Sequence, residues 1–196
     1  MWRRDRSVRF TDQRCHQVMR GDSMQTKMPS VIIAMADARK IRAMRLLLRE
    51  VGIPIKEPLR RRECWVATAN GHVIGCSRIE IVGEYALLRN VAVEKVWRHK
   101  GVGSRLVKKC LLEIRAADRT MIALVTMFWN VNFFRRFGFR TVSRQDLHTQ
   151  LRKMDVFSHP TYRFTTPMLL DVNRKNRPRI AGNSSARGHR YVLVHG

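Results

Sequence analysis

The stretch Leu87–Ser104 reads LLRNVAVEKVWRHKGVGS, and its two halves ask for different structures. Leu87 to Val93 is largely apolar and rich in valine, the composition of a buried strand. From Glu94 the chain turns polar and basic, closing on Arg98-His99-Lys100-Gly101-Val102-Gly103-Ser104. Beyond it, Leu106, Val107, Cys110, Leu111 and Ile114 recur at helical spacing. A strand feeding a glycine turn that opens a helix is a place for phosphate. The first amides of a helix lack internal partners, point outward together and sit at the positive end of its dipole. Gly101 and Gly103 let the backbone close on an anion without a Cβ in the way, and Arg98 and Lys100 add mobile charge. The segment reads as a pyrophosphate cradle.

Two familiar cradles do not fit. No GxxxxGK followed by Ser or Thr occurs, and GxGxxG fails because Gly103 is followed by Ser104, Arg105 and Leu106. The spacing Arg98-x-x-Gly101-x-Gly103 after a valine-rich strand, with Val93 five residues before Arg98, has a second motif downstream. That motif is Phe133-Phe134-Arg135-Arg136-Phe137-Gly138-Phe139. Together, in this order, the two resemble the acetyl-CoA loop and aromatic signature of the GNAT N-acetyltransferases. The resemblance spans about Pro29 to Val172. It implies an α/β (α+β) fold with a mixed, mostly antiparallel sheet of about six to seven strands and helices on both faces. It also implies that acetyl-CoA is held by Arg98, His99, Lys100, Gly101, Val102, Gly103 and Ser104. The backbones of Val91, Ala92 and Val93 would serve its pantetheine and thioester oxygen. Phe134 stands where many relatives carry a tyrosine that protonates the leaving thiolate, so here it could only contact the cofactor.

Lysine and arginine total 39 against 15 aspartates and glutamates, a formal net charge of +24. The excess persists between positions 31 and 170, so tails do not explain it. Such a field draws CoA, anionic substrates and nucleic acid alike. No aromatic-interleaved basic strand or helix-turn-helix pattern points to dedicated nucleic-acid binding, which leaves only non-specific attraction. No run reaches the roughly 18 apolar residues of a membrane span. Cys15, Cys64, Cys76 and Cys110 show no CxxC spacing, so no metal is expected and reduced thiols in a cytoplasmic protein are the plain reading.

Three regions follow: residues 1–28 as a basic, disordered extension, 29–172 as the folded domain, and 173–196 as a basic flexible tail. Val31 to Ala34 suits a first strand, and Asp37 an N-cap for a helix that stops at Gly52. Lys56 to Glu63, with Arg60-Arg61-Arg62, reads as a charged connector. Asn70-Gly71 marks a hairpin between Cys64–Ala69 and His72–Val82, and Gly83-Glu84 a turn into the central strand. Met121 to Thr126 is the next buried strand. Helices are expected over Trp129 to Phe137 and Leu147 to Val156, and strands from Phe139 to Val142 and from Tyr162 to Leu170. Phe128 and Trp129 read as core, with contact to the acceptor the alternative.

Acetyl transfer needs an anchored cofactor, a polarised carbonyl, an unprotonated amine and a stabilised thiolate. Glu80 and Glu84 are the carboxylates nearest the central strand, with Glu80 the candidate base and an ordinary surface acid its plainer reading. His72 and His99 read as surface histidines. Arg89, two residues before Val91 in an apolar strand, should share its side of the sheet. It either clamps an acceptor carboxylate or pairs with Glu80 or Glu84. The Leu87–Val93 run, the Phe133-Phe134 pair and the ending near Phe157 to Met168 resemble the arsenic-resistance-associated N-acetyltransferases. That likeness implies an amino-acid-like acceptor, although His159-Pro160 stands where Cys-Pro is expected. The expected activity is N-acetylation of a small amine by a monomer or homodimer. Acetylation of protein N-termini or lysines is one alternative, and a non-catalytic module that binds CoA or nucleic acid is another.

Overall fold

Asn70 and Gly71 both adopt positive φ, 49° and 79°, the backbone of a tight primed turn. This turn folds β2 (Cys64–Ala69) onto β3 (His72–Val82). A second turn at Gly83, φ 57°, returns the chain as β4 (Tyr85–Val93). The computed structural model describes residues 29–55 and 57–172. The extension expected over 1–28 and the tail over 173–196 lie outside the described residues.

β1 (Ile32–Met35) lies on the other side of β2, antiparallel to it. Asp37 then accepts the Lys40 amide at 2.8 Å and caps α1 (Ala38–Glu50), as its residue type predicts. Ile41, Met44, Leu47 and Leu48 form the buried stripe of α1, and Gly52 stops it at φ 73°. After β4, the chain makes α2 (Val102–Ala116) and enters β5 (Met121–Thr126), which runs parallel to β4. α3 (Val131–Arg135), β6 (Arg140–Thr141), α4 (Thr149–Arg152), α5 (Asp155–Ser158) and β7 (Thr166–Asp171) complete the described chain. The sheet order is β1-β2-β3-β4-β5-β7-β6, with β4–β5 its parallel pair.

One face of the sheet packs under α2, where Trp65, Ala67, Ile74 and Leu88 meet Leu106, Val107 and Cys110. The opposite face has two cores. Cys64, Val66, Cys76 and Ala92 lie with α1, while Leu87, Ala123 and Leu169 lie with Leu151, Val156 and Phe157. Helices therefore cover both faces. Full burial of a side chain such as Leu48 or Leu106 contributes about 2 kcal/mol each.

Three expected elements are shorter than their apolar patterns suggest. Trp129 to Phe137 yields a 3₁₀ turn at Phe128–Asn130 and the five-residue α3, because Phe137 and Gly138 bond back three residues and Gly138 turns left-handed. The helix expected from Leu147 divides into α4 and α5 because Met154 is extended. The last strand begins at Thr166, not Tyr162, since Arg144 holds the carbonyls of Phe157, Tyr162 and Thr165 in a turned segment.

Candidate active site

Strand β4 is irregular at the position that matters. Cys76 faces Ala92 and Arg78 faces Arg89, so one residue of β3, Ser77, stands against two of β4, Asn90 and Val91. The extra residue is a bulge with Asn90 at φ 54°, a conformation asparagine tolerates better than most. The bulge reverses the alternation of side chains along β4. Val91 packs toward the α2 core, whereas Arg89 shares the opposite face with Arg78. The expectation that Arg89 and Val91 share a side is therefore wrong, because a bulge is invisible to period-two counting.

β4 pairs with β5 only at Tyr85–Met121, Ala86–Ile122 and Leu87–Ala123. Leu88 to Val93 continues along β3 with no β5 partner in that ladder, while β5 beyond Ala123 stays paired to β7. The two parallel strands part after Leu87. Beyond Leu87 the β4 main-chain groups on that side have no partner in the β5 ladder. The side chain of Ala92 is buried and those of Val91 and Val93 pack in the core, so only their backbones can address a ligand.

At the end of β4 a 3₁₀ turn, Lys95–Trp97, leads into the basic loop. Arg98 donates through Nε to the Val93 carbonyl at 3.1 Å, latching loop to strand. His99 and Gly101 both have positive φ, 60° and 79°. Val102 is buried, while Arg98, His99, Lys100 and Gly101 are exposed. The first bond within α2 runs from the Arg105 amide to the Gly101 carbonyl, and no side chain of the described residues caps this end. The amides of Val102, Gly103 and Ser104 thus precede the helical ladder. A Cβ at Gly103 would stand 3.4 Å from Phe133 and 3.5 Å from Val93, in contact with both side chains. Lys100 lies over the Trp97 ring at 5.3 Å. These features fit a diphosphate, which needs bare amides, close backbone approach and nearby cations.

Phe134 is placed differently from the cofactor contact expected of it. It is buried, with its ring edge-on to Phe133 and Phe139, and belongs to the α2 core. Phe133, its half-buried neighbour, is the ring beside Gly103, and the motif alone does not show which aromatic turns that way. Phe128 and Trp129 are not core residues. They are 70% and 61% exposed, edge-to-face with one another, just past the end of β5 where the strands have parted.

Glu80 and Arg89 come together as expected, with Arg89 Nη1 2.7 Å from a Glu80 oxygen. Glu84 is not their partner. Glu57, which the sequence reading did not single out, bridges Arg89 at 2.8 Å and Arg78 at 3.0 Å, and Glu63 takes Arg78 at 2.8 Å. Burial alone would raise the Glu57 pKa, but hydrogen bonds and charge from Arg89 and then Arg78 outweigh it and hold it below its ordinary value. Burial likewise works against the charge on Arg89, and Glu80 and Glu57 overcome it, raising its pKa. Both candidate catalytic side chains are thus engaged in an ionic network with Glu57, Glu63 and Arg78. Among the described residues, no group of three or more His, Cys, Asp or Glu could hold a metal ion. No described helix is long and apolar enough to cross a membrane.

The sequence profile of the acetyltransferase (GNAT) domain matches residues 60–141, from the connector through the basic loop to β6. Over those residues the chain is similar to a GNAT acetyltransferase domain. A curated relative, an uncharacterized N-acetyltransferase of Chlorobaculum tepidum, is 31% identical over 85 residues. That alignment takes in 43% of this chain and 54% of the relative, so the chain spans about half the length of the curated relative it matches. The fold is shared with Rv2747 of Mycobacterium tuberculosis in complex with CoA, with TM-score 0.63, 22% identity, 71% of this chain and 98% of that one. It is also shared with the N-acetylglutamate synthase of Neisseria gonorrhoeae complexed with coenzyme A and N-acetyl-glutamate, with TM-score 0.63, 20% identity, 74% of this chain and 36% of that one. The end of the β4–β5 ladder at Leu87 and the uncapped start of α2 are the parts of this fold that bear on a ligand.

Proposed function

We propose that this protein is an acetyl-CoA-dependent N-acetyltransferase that acetylates the amine of a small, amino-acid-like acceptor by direct transfer. The observation that carries the reading is the departure of β4 from β5 after Leu87 beside the uncapped amides of α2. A linear cofactor with a diphosphate at one end and a thioester at the other suits that pairing of features. The coenzyme A in the two structural neighbours supports the same reading.

In this mechanism the amides of Val102, Gly103 and Ser104, with Arg98 and Lys100, hold the diphosphate, and His99 shapes the loop. The backbones of Val91, Ala92 and Val93 line the gap and orient the thioester. Bound acetyl-CoA supplies an acyl carbon: a C–N bond forms to the amine as the C–S bond breaks, and the amine's proton ends on sulfur. Phe134 cannot furnish that proton, so the chain contributes chiefly by positioning the two reactants. Glu80 and Arg89 are positioning residues that keep the bulge, and hence the gap, in shape through Glu57. Phe128 and Trp129 offer an apolar edge to the acceptor. The buried free thiols Cys64, Cys76 and Cys110 suit the reducing cytoplasm, where acetyl-CoA is at hand.

Thermal shift with acetyl-CoA, followed by thiol release with a panel of amino acids, polyamines and peptides, tests the proposal. Acetyl-CoA should raise Tm, and at least one small amino-acid-like amine should drive CoA release. Release with peptides alone would transfer the reading to protein acetylation. Stabilisation without release from any amine would make the domain a CoA-binding module, and no stabilisation would overturn the assignment.

A further inference from the structure

The outer flank of α1 carries a groove lined by none of the residues assigned above to acetyl transfer. It is open, about 760 Å³ in volume, and lined by Arg42, Arg45 and Arg49 with Leu46, Ile53 and Ile55 among its apolar residues. No acidic side chain lines it. The three arginines are exposed and, among the described residues, none takes part in an ion pair. Leu46 is 57% exposed between them, although α1 already buries a complete stripe on its other side.

We infer that this groove docks an acidic, extended polypeptide segment whose carboxylates alternate with aliphatic residues. Charge sets the sign of the partner, because three exposed guanidiniums with no carboxylate partner among the described residues favour an anionic chain. Spacing sets its form. Arg45 and Arg49 are four residues apart, a rise of about 6 Å along a helix. Carboxylates at alternate positions of an extended chain repeat every ~6.6 Å, a close match. The floor sets its composition, since Leu46, Ile53 and Ile55 need aliphatic contact. A single-stranded nucleic acid is a poorer match, because no aromatic ring lines the groove for a base to stack on. The inference stands apart from the proposed acetyl transfer, and its readout is binding alone.

The test is fluorescence anisotropy of a labelled Glu-Leu alternating peptide with the full chain near physiological salt. Because a chain of net charge +24 attracts any anion, the decisive comparison is between two triple variants of equal charge. Replacing Arg42, Arg45 and Arg49 by Gln should weaken binding at least about tenfold. Replacing the exposed Lys108, Arg115 and Lys153 by Gln should change it less than about threefold. Both variants should keep the parent Tm, since all six positions are exposed. Leu46→Ser should weaken the Glu-Leu peptide but not a Glu-Ser peptide of the same length. Equal losses in the two triple variants would overturn the inference, as would a Glu-Ser peptide binding the parent as tightly as Glu-Leu. So would displacement of the peptide by a lower concentration of single-stranded RNA of matched charge.

Discussion

Arg78 and Arg89 face one another across the β3–β4 ladder, and both turn their guanidiniums onto the single carboxylate of Glu57. Like charges directly opposite in a sheet repel, so the arrangement depends on the acids around it. Glu57 belongs to the connector before β2 and thereby ties that connector to the bulged part of β4.

Glu57→Gln should lower stability by about 1–2 kcal/mol, with solvent screening setting the low end because the carboxylate is about one-third exposed. The pH dependence has a definite sign. Glu57 has its folded pKa below the ordinary 4.5, so its contribution is complete above that value and is lost as pH falls through the folded pKa. Urea titrations of parent and variant at pH 7, 5 and 3.5 should show a gap that is constant at the first two and narrower at the third. A gap that widens in acid would contradict the network as described.

Gly101 and Gly103 should respond differently to alanine. At Gly101 there is room for a Cβ, but φ is 79°, so Gly101→Ala should cost about 1 kcal/mol of strain. At Gly103 the added Cβ makes contacts of 3.4 Å or longer, and stability should hold or rise slightly. If the α2 amides hold the diphosphate at close approach, the added Cβ beside them should make acetyl-CoA stabilise Gly103→Ala much less than the parent. Calorimetric titration with acetyl-CoA would settle it; undiminished affinity would remove the cradle from the loop.

Arg144 gathers four bonds, from Nε to the Phe157 carbonyl and from Nη2 to the Tyr162 carbonyl and to the carbonyl and hydroxyl of Thr165. Arg144→Ala should cost about 2–3 kcal/mol. Hydrogen exchange should quicken between Phe157 and Thr165 while α2 stays protected. If protection fell uniformly instead, the side chain would be supporting the whole fold and not this segment.

The three described cysteines should be silent toward Ellman's reagent in the native state at pH 8. Burial raises Cys64 to about 11 and Cys110 to about 12, and raises Cys76 further still. In a Cys15→Ser background, thiol titre should be near zero before urea and three after it. Fast reaction of any one thiol in native buffer would show that its strand opens readily. The outcome also matters for following CoA release with the same reagent.

Much of the site could be read directly because it is local. The turn at Asn70-Gly71, the cap at Asp37 and the glycine loop opening α2 are each decided by a few adjacent residues, and all appear where the chain predicts them. The aromatic motif was legible as a motif but not in its geometry. Which of Phe133 and Phe134 lies beside Gly103 depends on how α3 rotates against the core. The exposure of Phe128 and Trp129 was hidden for a related reason, since composition alone assigns large apolar side chains to the interior.

By itself the amino-acid sequence determined the order of elements, the basic loop and the family likeness, all of which rest on contacts within a few residues. Only the tertiary structure decided where β4 leaves β5, which face Arg89 occupies, and that Glu57 is its partner. The physical reason is that one left-handed residue, Asn90, reverses the side-chain alternation of everything after it. A carboxylate 32 residues away from Arg89 finds it only once the sheet has closed.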